Sequence, residues 1–212
     1  MPTVQEERSA ETRRRLLDAT IECLHELGYA GTTTPEIARR AGVSRGAQLH
    51  HFPRKQELVV SALEYVFDLR LSRFGELAAE MPLAPEARVN ALVDLLWPAF
   101  KGPTFYAWLE LVVASRTDVA LREAVRAASD RFASGIHEIF AKMFGLTNST
   151  YDEPLVGVIF LMLESLALER VLWTADEEQS RVEPTLKLTK LIAGTVVESG
   201  LKFDAGPRRS GG

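Results

Sequence analysis

Apolar residues recur at the spacing of an α-helix along nearly the whole chain, and this pattern limits the fold more than any other feature of the sequence. Leu16, Leu17, Cys23, Leu24 and Leu27 form one such stripe. We find no segment in which apolar and polar residues alternate with the period of two that a half-buried strand requires. The sequence therefore predicts an all-α fold with about nine helices.

Two short helices are predicted near the N-terminus. Thr34 is a candidate N-cap and Pro35 fits a first helical position, where its missing N–H costs nothing. Gly42 ends this helix, and Ser44 is the N-cap of the next, which Pro53 ends. A helix before them is predicted to stop at Gly28, and the later helices are expected near 55–79, 86–101, 103–116, 118–145, 152–174 and 180–201, with 175–179 as an acidic loop.

A helix, a turn containing glycine and a second helix over residues 33–52 follow the helix-turn-helix pattern of DNA-binding proteins. Ile37 and Ala38 are predicted to face inward and Val43 to fill the turn. Gly46 is a poor helix former, costing up to about 1 kcal/mol, but it lets the backbone approach another surface closely. That surface would be DNA.

Charge is divided unevenly along the chain. Residues 1–56 carry nine Lys or Arg and seven Asp or Glu, a net of +2, whereas the remainder has a net of −6. The split predicts a small basic head that faces phosphates and an acidic body that does not.

Other classes of protein lack support in the sequence. One cysteine cannot build a disulfide framework or a thiolate zinc site. We find no nucleophile elbow, P-loop or paired metal-ligand spacing, so we expect neither an enzyme nor a cofactor or metal. The N-terminus is polar and acidic, and the apolar run 155–163 is too short to span a bilayer, which predicts a cytoplasmic protein with no membrane partner.

Residues 12–63 resemble the DNA-binding head of the TetR/AcrR family of bacterial transcriptional regulators. The resemblance rests on the arginine-rich first helix ending at Gly28-Tyr29, Thr32-Thr33-Thr34 with Ile37-Ala38, the run Ala41-Gly42-Val43-Ser44-Arg45-Gly46, and His51-Phe52, Lys55 and Leu58. It implies that the helix after Ser44 enters the major groove of DNA. The later helices resemble the family only in number, length and the apolar penultimate helix.

Roles for the head residues follow from this placement. Helix N-termini bind phosphate, so the residues expected against the DNA backbone are Thr34, Ser44, His51 and Lys55. Those expected on the groove-facing helix are Arg45, Gly46, Ala47, Leu49 and His50. Arg45 either reads guanine O6 and N7 or contacts a phosphate. A metal pair at His50-His51 is disfavoured, because adjacent helical residues point about 100° apart.

Gln48 and Leu49 depart from the family pattern, which has an apolar residue and then, usually, tyrosine. A tyrosine hydroxyl would donate to a phosphate, and Leu49 cannot. Gln48 either reads adenine through N6 and N7 or faces the core of the head, as the family geometry implies.

The segment 155–173 is apolar on all sides, so it must be covered on all sides. It is either the central helix of a monomeric bundle or part of the interface of a homodimer, and we expect the dimer. The interface is expected to involve Leu155, Ile159, Met162, Leu166, Trp173, Leu188, Ile192 and Val196.

Aromatic residues cluster between positions 97 and 113, either as ordinary core or as the wall of a cavity for an apolar or aromatic effector. Polar residues within apolar helices would orient such a ligand, or form ion pairs. The site is expected to involve Trp97, Phe105, Trp108, Leu109, Glu110, Val112 and His137.

The sequence thus predicts a DNA-binding domain over 1–54, a ligand-binding and dimerisation domain over 55–203 and a disordered tail over 204–212. The function expected is a dimeric repressor that a small apolar ligand releases from a partly palindromic DNA operator. The alternatives are a regulator that binds DNA without any ligand, and an all-helical enzyme that uses the body cavity.

Overall fold

The computed structural model describes residues 3–79, 85–144 and 152–199. Within these ranges the chain forms nine α-helices, one 3₁₀ helix and no strand, which confirms the predicted all-α fold. The helices are α1 (Val4–Gly31), α2 (Thr34–Ala41), α3 (Arg45–His51), α4 (Lys55–Ala79), α5 (Pro85–Phe100), α6 (Pro103–Ala114), α7 (Val119–Phe144), α8 (Asp152–Glu169), the 3₁₀ helix (Arg170–Leu172) and α9 (Ala175–Ser199). The predicted tail 204–212 lies outside the described residues.

The first helix bends sharply at Gly28, where the sequence predicts its end. Gly28 has φ 67° and ψ 175°, so α1 is interrupted there and continues for one more turn to Gly31. The carbonyl oxygen of Gly28 accepts hydrogen bonds from Thr32 N at 3.1 Å and from Thr32 Oγ1 at 2.7 Å. These two bonds close the corner and direct the chain into α2.

The last helix begins earlier than predicted. The acidic segment 175–179 forms the first turn of α9 instead of a loop. Thr174 Oγ1 accepts from Glu177 N, and a Glu177 carboxylate oxygen accepts from Thr174 N at 3.0 Å, which is a reciprocal capping box. The acidic side chains also interact favourably with the positive end of the helix dipole.

The chain divides into two compact units, and α4 and α7 contribute residues to both. Unit one comprises residues 1–71 and 102–133, and unit two comprises 72–101 and 134–212. This division differs from the predicted boundary after residue 54, because α6 and the first half of α7 group with the N-terminal helices.

Unit one is organised around a core shared by α1, α2, α4, α6 and α7. Leu16, Leu24, Leu58 and Leu111 are completely buried. Cys23 is also completely buried, and burial raises the pKa of its thiol, so it serves as a small core residue, as the sequence predicts.

Unit two packs α5, α8 and α9 against one another together with the second half of α7. Leu96, Ile159 and Leu163 lie at its centre, and Phe100 contacts Phe160 edge-to-face. None of the helices in the described ranges combines the length and apolar character needed to cross a membrane.

Candidate nucleic-acid interface

Helix α2 is capped by Thr33 rather than by Thr34, which corrects the prediction by one residue. Thr33 has an extended backbone and its Oγ1 accepts a hydrogen bond from Glu36 N. Thr34 is instead the first helical residue, partly buried, and Pro35 follows it in the first turn, where a proline is tolerated. A threonine at either position could cap the helix, so the local sequence alone did not separate them.

The turn between α2 and α3 depends on Gly42. Its φ of 63° lies in the left-handed region, which favours glycine. Its carbonyl oxygen accepts from Arg15 Nη2 at 3.2 Å, and a Cβ at this position would lie only 2.5 Å from that same nitrogen. The turn is therefore tied to α1 by Arg15, whose guanidinium would have to shift to accommodate a side chain at residue 42.

A chain of charged groups fixes α2 to α1. Glu36 accepts hydrogen bonds from Arg39 and Arg40, and Arg40 Nη1 also donates to Glu26 of α1 at 2.6 Å. The two arginines lower the pKa of the Glu36 carboxyl to about 2. The first helix of the motif is thus oriented by ion pairs as well as by its buried Ile37.

We expect Glu36→Gln to flatten the loss of stability in acid. The folded-state pKa of Glu36 lies below its ordinary value of 4.5, so its contribution is complete above that value and is lost as the pH falls from about 4.5 toward 2. Urea unfolding between pH 6 and pH 3 would measure the slope. Glu123→Gln, at an exposed carboxylate on α7, should leave the slope as in the wild type. An equal slope in the Glu36 variant would contradict the assignment.

Along α3, pairs of exposed residues alternate with pairs of residues that face the core. Ser44 caps it as predicted, with Oγ accepting from Ala47 N at 3.2 Å. The residues exposed on its outer face are Arg45, Gly46, Leu49 and His50, and those turned inward are Ala47, Gln48, His51 and Phe52. In helix-turn-helix proteins, residues near the start of the second helix are the ones that contact base edges in the major groove.

Gln48 faces the core, which resolves the alternatives left by the sequence. Its side chain is 1% exposed and its Nε2 donates to the carbonyl oxygen of Phe52 at 2.6 Å. The amide therefore ties down the C-terminal end of α3 and cannot read a base. Its Oε1 is buried and has no hydrogen-bond partner among the described residues.

Arg45 and Gly46 leave the outer face open for a partner. Arg45 is exposed and makes no ion pair within the part of the chain that the structure describes. A Cβ on Gly46 would have only Ser44 Oγ nearby, at 4.0 Å. Within the part of the chain that the structure describes, no contact requires glycine at this position.

Lys55 and His51 have contacts that the sequence did not predict. The Lys55 ammonium donates to the carbonyl oxygen of Tyr29 at 2.6 Å and lies 3.9 Å from the centre of the Tyr29 ring. Burial lowers the pKa of Lys55, and burial with the nearby His50 and Arg13 lowers the pKa of His51. A phosphate contact from Lys55 would use its remaining donors.

Glu110 lies against the corner at Gly28 and Tyr29. Its Oε2 accepts a hydrogen bond from Tyr29 N at 2.8 Å, which caps the single helical turn after Gly28. Tyr29 is thus held by Glu110 through its N–H and by Lys55 through its carbonyl. The 81 residues that separate Glu110 from Tyr29 left no local signal of this pairing.

The other residues of the predicted effector site are divided between the two units. Phe105 and Trp108 pack against each other in unit one with ring centroids 5.7 Å apart, and Trp108 Nε1 donates to Ser129 Oγ at 3.4 Å. Leu109 and Val112 lie beside them on α6 and are partly buried. Unit two holds Trp97, which is buried, and His137, whose Nε2 is buried without a hydrogen-bond partner among the described residues.

The predicted dimer residues do not all point the same way. Ile159 and Leu166 are 2% and 5% exposed, so these two pack inside their own chain. Met162 and Trp173 are partly buried, Leu188 and Ile192 are exposed, and the side chains of Leu155 and Val196 lie outside the described residues. The exposed apolar stripe of α8 and the 3₁₀ helix comprises Val158, Leu161, Leu168, Val171 and Leu172.

A two-helix motif with a left-handed glycine turn, an open outer face on its second helix and a large helical body defines a helix-turn-helix DNA-binding regulator. The chain belongs to the TetR family of bacterial transcriptional regulators. The family model described as bacterial regulatory proteins, tetR family, matches residues 16–62. The resemblance noted in the sequence is thereby confirmed, and the chain is a transcriptional regulator and not an enzyme.

Comparisons with individual proteins agree over most of the length. The chain is 33% identical over 178 residues to the HTH-type transcriptional regulator CymR of Pseudomonas putida, covering 82% of this chain and 86% of that protein. A transcriptional regulator from Rhodococcus sp. Rha1 has the same fold, with a TM-score of 0.69, 21% identity and coverage of 88% and 96%. FadR from Bacillus subtilis, solved in complex with stearoyl-CoA, gives a TM-score of 0.64 at 16% identity, with coverage of 89% and 98%.

Proposed function

We propose that this regulator is a homodimeric repressor that leaves its operator when a small apolar molecule binds inside the body. The observation that carries the DNA-binding part of the proposal is the outer face of α3, where Arg45, Gly46, Leu49 and His50 are exposed together on a helix that Ser44 caps. The head around it supplies the net positive charge that DNA binding requires.

A second copy of the chain is the occupant that suits the exposed face of α8 and α9. Of the fourteen large apolar residues exposed in the described part, eight lie on α8, the 3₁₀ helix and α9. The exposed positions 158, 161, 165, 168 and 172 follow a spacing of three and four residues, as in helices that pack lengthwise. An apolar groove beside them is lined by Val158, Leu161, Met162, Ser165, Leu166, Glu169, Trp173 and Thr185.

The paired heads of such a dimer would bind two half-sites of one operator. Because a two-fold symmetric dimer presents its recognition helices in opposite directions, the operator would be partly palindromic, with half-sites about 34 Å apart. Arg45 would then distinguish bases, and Ser44 and Thr34 would contact the DNA backbone.

The effector site is better supported in unit two than at the Phe105 and Trp108 stripe. An apolar cavity there is lined by Phe74, Leu92, Leu95, Leu96, Ile136, Ile139, Phe140 and Met143. Its volume is about 10 Å³, which is the space of a single water molecule, so an effector would have to enlarge it. His137 is not among the lining residues but lies one turn before Phe140 on α7. Its Nε2 is buried without a hydrogen-bond partner among the described residues, and it would be available to a polar group of a ligand that enlarged the cavity.

Enlarging this cavity gives a route to the DNA-binding helix. Phe74 lines the cavity from α4, and the same helix begins at Lys55, directly after α3. A ligand releases the operator only if it binds the DNA-incompetent conformation more tightly than the competent one. The stearoyl-CoA complex of FadR supports ligand binding in a body of this fold. A regulator that binds DNA constitutively remains the alternative, favoured by how small the cavity is.

A DNA-binding titration tests the proposal. Duplexes selected from a random library by the full chain would be compared with a scrambled duplex at several salt concentrations, and affinity should fall steeply with salt. Arg45→Ala should reduce the difference in binding free energy between the selected and the scrambled duplex by about 1–3 kcal/mol. Arg126→Ala, at an exposed arginine of α7, should leave this difference unchanged.

Three outcomes would contradict parts of this proposal. Failure to select any sequence would rule out sequence-specific binding to an operator. An equal loss of affinity for both duplexes in Arg45→Ala would assign Arg45 to a phosphate contact. A panel of apolar compounds that never releases the DNA would leave a constitutive regulator.

A further inference from the structure

Leu49, on the outer face of α3, neither packs in the core nor contributes charge to the head. Leu49 is 44% exposed, and it lies one turn after Arg45 on the same side of the helix. A single exposed leucine on a protein surface needs no explanation. This one differs because the helix that carries it is the recognition helix, so DNA would cover it.

Once DNA covers Leu49, few groups of a base can lie against it without a loss of binding free energy. Its side chain neither donates nor accepts a hydrogen bond, so a purine N7, a guanine O6 or an exocyclic amine pressed against it would lose water and gain nothing. The C5-methyl group of thymine is the apolar group that an unmodified base pair presents in the major groove. Contact between this methyl and Leu49 removes two apolar surfaces from water.

Gly46 supplies the space for such a contact. Each Cα–Cβ bond of a helix tilts toward the N-terminus, so the side chain of Leu49 leans over the preceding turn, which contains Gly46 three residues earlier. Gly46 has no side chain, and apart from its chain neighbours and the backbone of its own helix the described atom nearest to the position where its Cβ would lie is Ser44 Oγ, at 4.0 Å. The surface of α3 next to Leu49 is therefore left without a side chain at residue 46.

We propose that Leu49 and Gly46 together recognise the methyl group of a thymine, once in each half-site of the operator. The inference rests on the proposed binding of DNA through α3, and it adds the base that the middle of this helix selects. Arg45 lies one turn nearer the N-terminal end of α3 than Leu49 does. The recognised thymine therefore lies within a few base pairs of the base or phosphate that Arg45 contacts.

Uracil interference tests the proposal on the intact protein. Duplexes selected by the full chain from a random library are copied with part of the thymine replaced by uracil, which removes only the methyl group. Bound and free molecules are then separated and the uracil positions mapped. We expect uracil at one thymine of each half-site to be depleted from the bound fraction, with binding about fourfold weaker per half-site, the effect of one buried methyl group.

Two variants make the test specific. Leu49→Ala should bind the thymine and uracil duplexes equally, whereas Leu27→Ala, at a leucine of α1 that is 42% exposed, should keep the full preference for thymine. If the wild type selects a duplex but no uracil weakens binding, or if Leu49→Ala keeps the preference, this inference is overturned while the DNA-binding proposal stands. If no duplex is selected at all, both are overturned.

Discussion

Leu161→Glu is expected to convert the proposed dimer into a monomer and to weaken operator binding by on the order of 100-fold or more. Leu161 is 65% exposed in the middle of the α8 stripe. Two-fold symmetry would place two copies of the new carboxylate in one apolar interface, where each would be desolvated without a partner. Once the subunits separate, each head binds its half-site alone and the gain from two linked sites is lost.

Sedimentation and fluorescence anisotropy with an operator duplex would measure the two effects. Leu168→Glu, two helical turns further along the same stripe and 50% exposed, should behave in the same way. Leu69→Glu is the matched control, because Leu69 is 53% exposed but lies on α4 in unit one. A wild-type protein that is monomeric at micromolar concentration, or a Leu161→Glu protein that stays dimeric, would rule out this interface.

The sequence predicted the helix-turn-helix motif well because its signals are local. Pro35, Gly42, Ser44 and Pro53 each act on their own turn of the chain, and the structure places the boundaries of α2 and α3 at or beside them. The shift from Thr34 to Thr33 is the size of error expected where several threonines in a row can cap the same helix. The capping box of Thr174 and Glu177 is equally local, but the acidic run 175–179 is typical of a loop, so the box was not predicted.

The outward face of α8 could not be predicted in the same way. A helix that is apolar all round has no polar side to mark solvent, so the pattern gave no reason to prefer Ile159 over Leu161 as an exposed residue. Packing against α5 and α9 decides the question, and it buries Ile159 and Leu166 while exposing Leu161 and Leu168.

The role of Glu110 was hidden for a different reason. Its position within an apolar helix is consistent with a ligand-orienting residue, whereas the partner that the structure shows, the backbone N–H of Tyr29, carries no sequence signal. Gln48 shows the same limit, because its amide is held by the carbonyl of Phe52 in a buried contact that a pattern of residue types cannot reveal.

Gly28→Ala is expected to lower the free energy of unfolding by about 2–4 kcal/mol, the sum of a strained backbone and a disturbed hydrogen bond. Gly28 has φ 67° and ψ 175°, a combination that side chains strongly disfavour. A Cβ there would also lie 2.9 Å from Glu110 Oε2, the atom that accepts from Tyr29 N. The carboxylate would have to move and leave that N–H without its partner.

Urea unfolding and hydrogen exchange at the Tyr29 amide would separate the two contributions. Gly75→Ala is the control, because Gly75 lies exposed inside α4 with no atom within 4 Å of a new Cβ, so alanine should stabilise the helix by up to about 1 kcal/mol. In the double variant Gly28→Ala/Glu110→Ala the clash is absent, and only the backbone strain and the missing acceptor remain.

The Gly28 corner is also expected to affect operator binding. Glu110 of α6 and Lys55 of α4 both hold Tyr29, so α1 is bound there to two other helices. If the corner positions the head, Gly28→Ala should weaken operator binding as well as folding, and the double variant, which lacks the Glu110 acceptor altogether, should not restore either. Unchanged exchange at Tyr29 in Gly28→Ala would show that the corner accommodates a side chain and that Glu110 does not hold it.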